Sequence, residues 1–413
     1  MKTRKILAIL AAAIISLTAA GCASVNSGES SSSSSKTSSG SSAVISQAAS
    51  TAGSSTVSSS ELFTDRDLEQ TADTEDATTI TVTDGGSVEI TEEGVYILTG
   101  SASDFTLTVN ADKEAKVQIV LDGVTVTNSD FPVIYVVSAD KVFITTAEGS
   151  ENSLSVTGEF TSDGDTNTDA VIYSKDDIVL NGLGTLSITS NYGNGISGKD
   201  DLKVTGGTYV ISSAKDAIEA NDSIAISDGS FTITTNKDGL HCENDDDSTL
   251  GSITITGGTF TIKAASDGIQ GTTFVQIDGG SFDITASEGI EATCIVINDG
   301  VISISASDDG INAANKSSAY SPTVEINGGE LTIVMGQGDT DAIDANGSIY
   351  VNGGTINITA PTSSFDYDST AEFNGGTIII NGEEVSEIPQ SMMGGGMGGG
   401  GSMGGRGGRD MMW

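Results

Sequence analysis

From Ser266 the chain reads SDGIQGTTFVQIDGGSFDITAS, and from Glu288 it reads EGIEATCIVINDGVISISAS. Each stretch opens on an acid, a Gly and an Ile. Two runs of alternating apolar and polar residues follow, with a Gly turn between them. The opening element recurs as Asp216-Ala-Ile, Asp238-Gly-Leu, Asp267-Gly-Ile, Glu288-Gly-Ile, Asp309-Gly-Ile and Asp341-Ala-Ile, with Asn194-Gly-Ile upstream. The base spacing is 21 or 22 residues, and two longer gaps mark insertions. Alternation with period two puts Ile224/Ile226, Val275/Ile277, Phe260/Ile262 and Phe282/Ile284 on one face and Thr, Ser and Asp on the other. A unit this short buries nothing alone, but stacked on its neighbours it encloses continuous apolar columns. The pattern predicts an all-β protein: a right-handed parallel β-helix with three strands in each coil of 21–22 residues. Alternation continues upstream to SVEI near Val88, so one solenoid is expected over residues 77–388, with no second globular domain. Phe231, Phe260 and Phe282 share the apolar face and read as core stacks rather than as a sugar-stacking platform.

The ends break the pattern. Lys2, Arg4 and Lys5 precede an apolar run from Ile6 to Leu17, and TAAGC closes at Cys22. The run is too short for a stable span. Residues 1–22 therefore read as a lipoprotein-type signal, with Cys22 as the lipidated N-terminus of a protein anchored outside the cytoplasm. Residues 23–76, which open on a Ser-rich stretch, read as a flexible tether, and residues 389–413, rich in Gly and Met, as a disordered tail. With Cys22 spent, Cys242 and Cys294 fall two coils apart in different columns, roughly 10 Å or more at strand spacing. That is beyond the reach of a disulfide, so two unpaired thiols are expected.

Charge changes the picture further. Fifty-seven acids face 17 bases, for a formal net charge of −40. Such a chain does not bind nucleic acid by neutralising phosphates, and it suits a cation-holding or strongly solvated monomer. Two polar columns carry much of the acid. The turn column is Asp216, Asp238, Asp267, Glu288, Asp309 and Asp341. Three residues on lies an outward column of Ser197, Glu219, His241, Gln270, Glu291, Asn312 and Asp344. Asp before Gly caps a turn through its own side chain, but Glu288 fits that role poorly. Carboxylates stacked about 4.8 Å apart repel by roughly 0.9 kcal/mol per pair even in water. Lysines look too few to offset this, and no Arg lies between Arg66 and Arg406. Hard oxygen ligands without His or Cys clusters point to Ca²⁺ held between coils. The expected ligands are Asp216, Glu219, Asp238, Glu243, Asp267, Glu288, Glu291, Asp309, Asp341 and Asp344. His241, the one His, argues against a His-based triad or zinc site and reads as a plain outward residue.

The insertions HCENDDDSTLG after Leu240 and AANKSSAYSP after Ile311 leave the solenoid at one corner. The coils between them turn tightly. A trough about three coils wide is expected, roughly 15 Å at strand spacing. Its floor would be Gln270 and Glu291, with Glu243 to Asp247 on one wall and Asn315 to Tyr320 on the other. Gln270, Glu291, Asn312 and Tyr320 would then meet a linear glycan.

YSKDDIVLNGLGTLSITSNYGNGISGKDDLKVTGGTYVIS from Tyr173, followed by coils opening on DGI and turning on INGG or IDGG, resembles a family of bacterial surface carbohydrate-binding β-helix domains. That family is similar to polysaccharide-lyase solenoids but is regarded as non-catalytic. The resemblance implies Ca²⁺ and binding of cellulose-like or acidic polysaccharides. Ala217 and Ala342 replace the family's Gly, and His241 and Gln270 interrupt the outward acids. A Ca²⁺-dependent lyase is the alternative, with Lys215, Lys237 or Lys263 as base. A structural stalk or adhesin is the third reading.

Overall fold

The computed structural model describes residues 62–338 and 340–389. Every named element is a β-strand, from Thr78–Thr81 to Glu383–Val385. The strands form one 24-stranded and one 12-stranded sheet. All strand pairs are parallel except the last, where Glu383–Val385 folds back on Ile378–Ile380 and closes that edge. The smaller sheet stacks Asn194–Gly198, Ile218–Ala220, Leu240–Cys242, Asp267–Gly271, Glu288–Ala292, Ile311–Ala313, Asp341–Ala345 and Ser363–Tyr367 in order. Its register aligns Ile196, Ile218, Leu240, Ile269, Ile290, Ile311, Ile343 and Phe365. All but Phe365 are the positions that the repeat places in one column. The fold is thus an all-β parallel solenoid.

Alternating residues meet in one apolar core that runs from Ile80 to Ile388. Parallel pairing in register forces like residues onto one another. Phe231, Phe260 and Phe282 stack with centroids 4.6 Å apart and planes 1° from parallel. Tyr209 ends the stack and donates its hydroxyl to the Gly206 carbonyl at 2.8 Å. The expected core role of these rings holds. At the GG turns from Gly206-Gly207 onward the second Gly has positive φ, as at Gly354 (81°), where a Cβ would come within 2.7 Å of the Gly328 carbonyl oxygen.

The residue before such turns forms a second periodic feature. Asn374 donates to Asn352 (2.9 Å), Asn352 to Asn327 (2.8 Å), Asn327 to Asn298 (2.8 Å) and Asn298 to Asp278 (2.7 Å). Asn298, Asn327 and Asn352 each take a hydrogen bond from one neighbour in the file and give one to the next, and Asp278 accepts at its end.

The tether needs correcting at its C-terminal end. Residues 62–70 do not hang free but lie on the larger sheet. Asp67, fully buried, faces the ammonium groups of Lys141 (3.3 Å) and Lys203 (3.4 Å). The Arg66 guanidinium sits 4.5 Å above the Phe143 ring. Gln70 accepts from Gly182 N–H (2.9 Å) and donates to the Thr205 carbonyl (3.0 Å). Burial opposes ionisation of Asp67, but the Thr64 N–H and the two lysines hold its carboxyl below the ordinary value. Cys242 and Cys294 are buried and unpaired, as expected. The signal with Cys22, the rest of the tether and the tail from residue 390 lie outside the described residues.

Candidate functional site

The turn acids and the outward column share the smaller sheet. The turn acids do not cap their own turns. One oxygen of Asp216, of Asp238 and of Asp309 instead accepts the backbone N–H of the next acid along the stack. Asn194 Oδ1 takes Asp216 N–H (3.0 Å), Asp216 Oδ1 takes Asp238 N–H (3.1 Å) and Asp238 Oδ1 takes Asp267 N–H (3.0 Å). The file resumes with Asp309 and Asp341 (3.0 Å). It breaks at Glu288, whose N–H turns to the Ser266 carbonyl at 3.3 Å. The carboxylates of Asp267 and Glu288 therefore face the outward column with no such backbone duty.

Three lysines stand where the stacked charge is greatest, which corrects the expectation that lysines are too few. Lys199 Nζ lies 3.1 Å from Glu219, which also accepts from Asn194 Nδ2 at 2.6 Å. Lys237 Nζ lies 2.8 Å from Asp216 Oδ2 and 3.7 Å from Asp238 Oδ2. Lys316, from the second insertion, reaches Glu291 Oε2 at 2.5 Å. With its amide oriented to satisfy both ends, Gln270 accepts from Lys316 (2.7 Å) and donates to Asp238 (3.2 Å) and Asp267 (3.3 Å).

His241 is not a plain outward residue. It is 6% exposed. Its Nδ1 lies 3.2 Å from Asp216 Oδ2 and 3.8 Å from Asp238 Oδ2, and its Nε2 lies 3.3 Å from Glu243 Oε2. Burial disfavours the imidazolium, but Asp216 outweighs it and raises the His241 pKa. Burial likewise opposes the Asp216 carboxylate, yet His241 and Lys237 hold it well below the usual range.

Asp267, Glu288 and Glu291 form a second knot, with one oxygen from each lying within 4.8 Å of the others. Burial, then Asp238, Glu288 and Glu291, push the Asp267 carboxyl up to about 8 against the pull of Lys316. Burial and Glu291 raise Glu288 to about 7, although Asn312 Nδ2 donates to it at 3.1 Å. Further along, burial raises Asp309 to about 6. Burial, with Asp309, Asp341 and Asp366 next, raises Asp344 to about 7. A separate acid corner lies beside the KDD elements. There burial, then Asp177, Asp222 and Asp201, raise Asp200 to about 7.

The expected open trough is not there. Its two walls touch: Ser317 Oγ donates to the Ser248 carbonyl at 2.6 Å. Lys316 lies on the floor, against Gln270 and Glu291. Tyr320 packs edge-on against Phe274, with centroids 4.7 Å apart. Asn312 is held by Glu288 and not by a wall. The structure thus joins Gln270 to Glu291 and Asn312 to Glu288, places Glu243 beside His241, and commits Tyr320 to packing. Sequence reasoning missed the charge-balancing role of Lys199, of Lys237, which it named only as a candidate base, and of Lys316. For the first two the signal was present, because both lie just before an Asp in KDD and KDG. Upstream, the same outward column continues as Tyr135 and Tyr173, buried beneath the chain around Asp163, which accepts from the Tyr135 hydroxyl at 2.9 Å.

Residues 84–342 and 286–397 match the family described as carbohydrate-binding domain-containing protein. A carbohydrate-binding domain-containing protein of Acetivibrio thermocellus is 39% identical over 122 residues, 29% of this chain and 43% of that relative. The match thus spans less than half of the relative's length. A polysaccharide lyase-like protein from C. thermocellum, solved as a gadolinium derivative, aligns over 55% of this chain and 96% of its own, at 32% identity and a TM-score of 0.49.

Proposed function

Since the chain belongs to the carbohydrate-binding domain-containing protein family, we propose that it binds polysaccharide, without cleaving it, at the acid columns of the smaller sheet. Ca²⁺ would be the intermediary. The observation that carries this reading is the knot of Asp267, Glu288 and Glu291. Its carboxylates lie close together, and neither Asp267 nor Glu288 serves the backbone file. An oxygen-only donor set with flexible Glu arms fits Ca²⁺. A chain with a net charge of −40 repels an acidic glycan, and a divalent ion shared between two carboxylates turns that repulsion into attraction. Glu219, Asp309, Asp341 and Asp344 would supply further ligands along the same face. The winding is taken as right-handed, with three strands per turn. Cys22 would carry the lipid that holds a monomer at the outer face of the membrane, with the tether now ending near residue 61.

The lyase alternative loses support at two of its three candidate bases. Lys237 is held as an ammonium: burial would lower its pKa, but Asp216 raises it. Lys215 is paired with Asp169 at 2.7 Å. A base must be neutral to take a proton.

Affinity electrophoresis through polygalacturonate, and pull-down on cellulose, each with Ca²⁺ and with EDTA, test the reading while absorbance is followed for unsaturated products. Retention by polygalacturonate that EDTA abolishes and that E288Q/E291Q weakens, with no new absorbance, is expected. Rising absorbance would establish a lyase. No retention on either glycan would leave a structural stalk.

A further inference from the structure

We propose that Asp216, Asp238 and His241 form a site for a divalent transition-metal ion such as Zn²⁺ or Mn²⁺, in which the Lys237 ammonium is a displaceable placeholder. The three side chains are 4%, 2% and 7% exposed, and one donor atom of each lies within 4.8 Å of the others. The separations of His241 Nδ1 from the two carboxylates, 3.2 and 3.8 Å, bracket the edge of a tetrahedron with bonds of 2.0–2.1 Å, about 3.3 Å. Parallel pairing fixes this geometry. Asp216 comes from one turn, and Asp238 and His241 from the next, three residues apart on one edge.

Lys237 already places a positive charge there. Its Nζ lies 2.8 Å from Asp216 Oδ2, 3.7 Å from Asp238 Oδ2 and 3.5 Å from His241 Nδ1. The Lys237 side chain is 47% exposed, so the ammonium can swing into water without disturbing the core. The imidazole supplies an independent sign. With lysine in place, His241 Nε2 is buried and makes no hydrogen bond. It lies 3.3 Å from Glu243 Oε2, on the exposed insertion. A neutral imidazole bound to metal through Nδ1 carries its proton on Nε2, facing that carboxylate. This is the outer-shell partnership that orients metal-bound histidines. Binding would expel the Nδ1 proton and release the ammonium, and it would draw Glu243 and the insertion onto the sheet. The nitrogen donor separates this site from the oxygen-only knot at Asp267, because imidazole favours borderline ions over Ca²⁺.

The test is isothermal titration of the full chain with Zn²⁺ in the presence of excess Ca²⁺, with visible absorption of the Co²⁺ form as a second readout. One ion per chain is expected. K237M should bind at least about tenfold tighter, because the competing cation is gone. H241Q should abolish binding and the Co²⁺ absorption while the Ca²⁺-induced rise in melting temperature persists. E243A, a change on the exposed insertion that spares the fold, should weaken binding about 10-fold. The proposal is overturned if K237M binds no tighter than the native chain, or if E243A and H241Q both keep native affinity. Failure of the Ca²⁺ effect alone would count against the oxygen-only knot and leave this site standing.

Discussion

Asn298, Asn327, Asn352 and Asn374 stack on successive turns much as Asp216, Asp238, Asp267 and Glu288 do, yet the two files settle their polar groups by different means. An amide donates and accepts, so the asparagines close a chain of hydrogen bonds among themselves that ends on Asp278. A carboxylate only accepts. The acid file must therefore borrow donors, and it does so in three ways: one oxygen takes a backbone N–H, lysines arrive from two corners, and the remaining carboxyls stay partly protonated. Stacking in register is permissive about shape and strict about donor count. The file that cannot balance itself is the one left open to ions and ligands.

The largest effect should come from pH in the absence of Ca²⁺. Asp267, Glu288, Asp309 and Asp344 have folded-state pKa values above the ordinary range. The fold is favoured while they hold their protons and loses that advantage as pH rises from about 4 to about 8. In EDTA the melting temperature should drop by several degrees between pH 5 and pH 8.5. Ca²⁺, bound to the folded state alone, should remove most of that slope. Scanning calorimetry at four pH values decides it, and a flat profile in EDTA would mean that the acids are already balanced. Asp67 and Asp216 act in the opposite sense, but only as pH falls below about 4.

A smaller effect should follow from making the quiet file resemble the noisy one. N327D leaves Asn298 Oδ1 without its donor and places an acceptor against it. Urea unfolding should show a loss of about 1–3 kcal/mol, at high and low Ca²⁺ alike. Restoration by Ca²⁺ would show that any carboxylate in a stacked file recruits an ion.

The smallest effect belongs to the reverse change. E288Q removes one repelling charge and keeps an acceptor for Asn312. At pH 8 in EDTA it should raise the melting temperature by a degree or two, and it should reduce the gain on adding Ca²⁺. A fall in EDTA would mean that Glu288 holds the fold through a contact other than charge.

The sequence carried the periodic half of this molecule. Registers such as Ile269 with Ile290 follow from the spacing of one element, because parallel strands in a solenoid pair like with like. The core aromatic stack, the turn glycines and the unpaired thiols followed in the same way. What escaped was aperiodic. Lys316 reaches Glu291 from an insertion whose path no repeat specifies, and Ser317 meets Ser248 across the expected opening. His241 was placed correctly in its column. Its burial depends on a lysine and an insertion outside the column, and the alternation of apolar and polar positions says nothing about either. Residues 62–76 have Ser-poor, acid-containing sequence without alternation, and their order rests on aperiodic contacts of Leu62, Arg66, Asp67 and Gln70.

The Asp67 carboxylate also decides where mechanical force enters the molecule. A pull applied from the N-terminal side reaches the sheet through Leu62, whose carbonyl accepts from Lys203, and through Asp67 between Lys141 and Lys203. The first strand, Thr78–Thr81, lies behind this clamp in the chain. Tension is thus delivered to the middle of a stack of strands and not to its terminal rung. A chain held this way resists being unzipped turn by turn, because the two ionic contacts and the Gln70 hydrogen bonds must part before the end strand feels any strain.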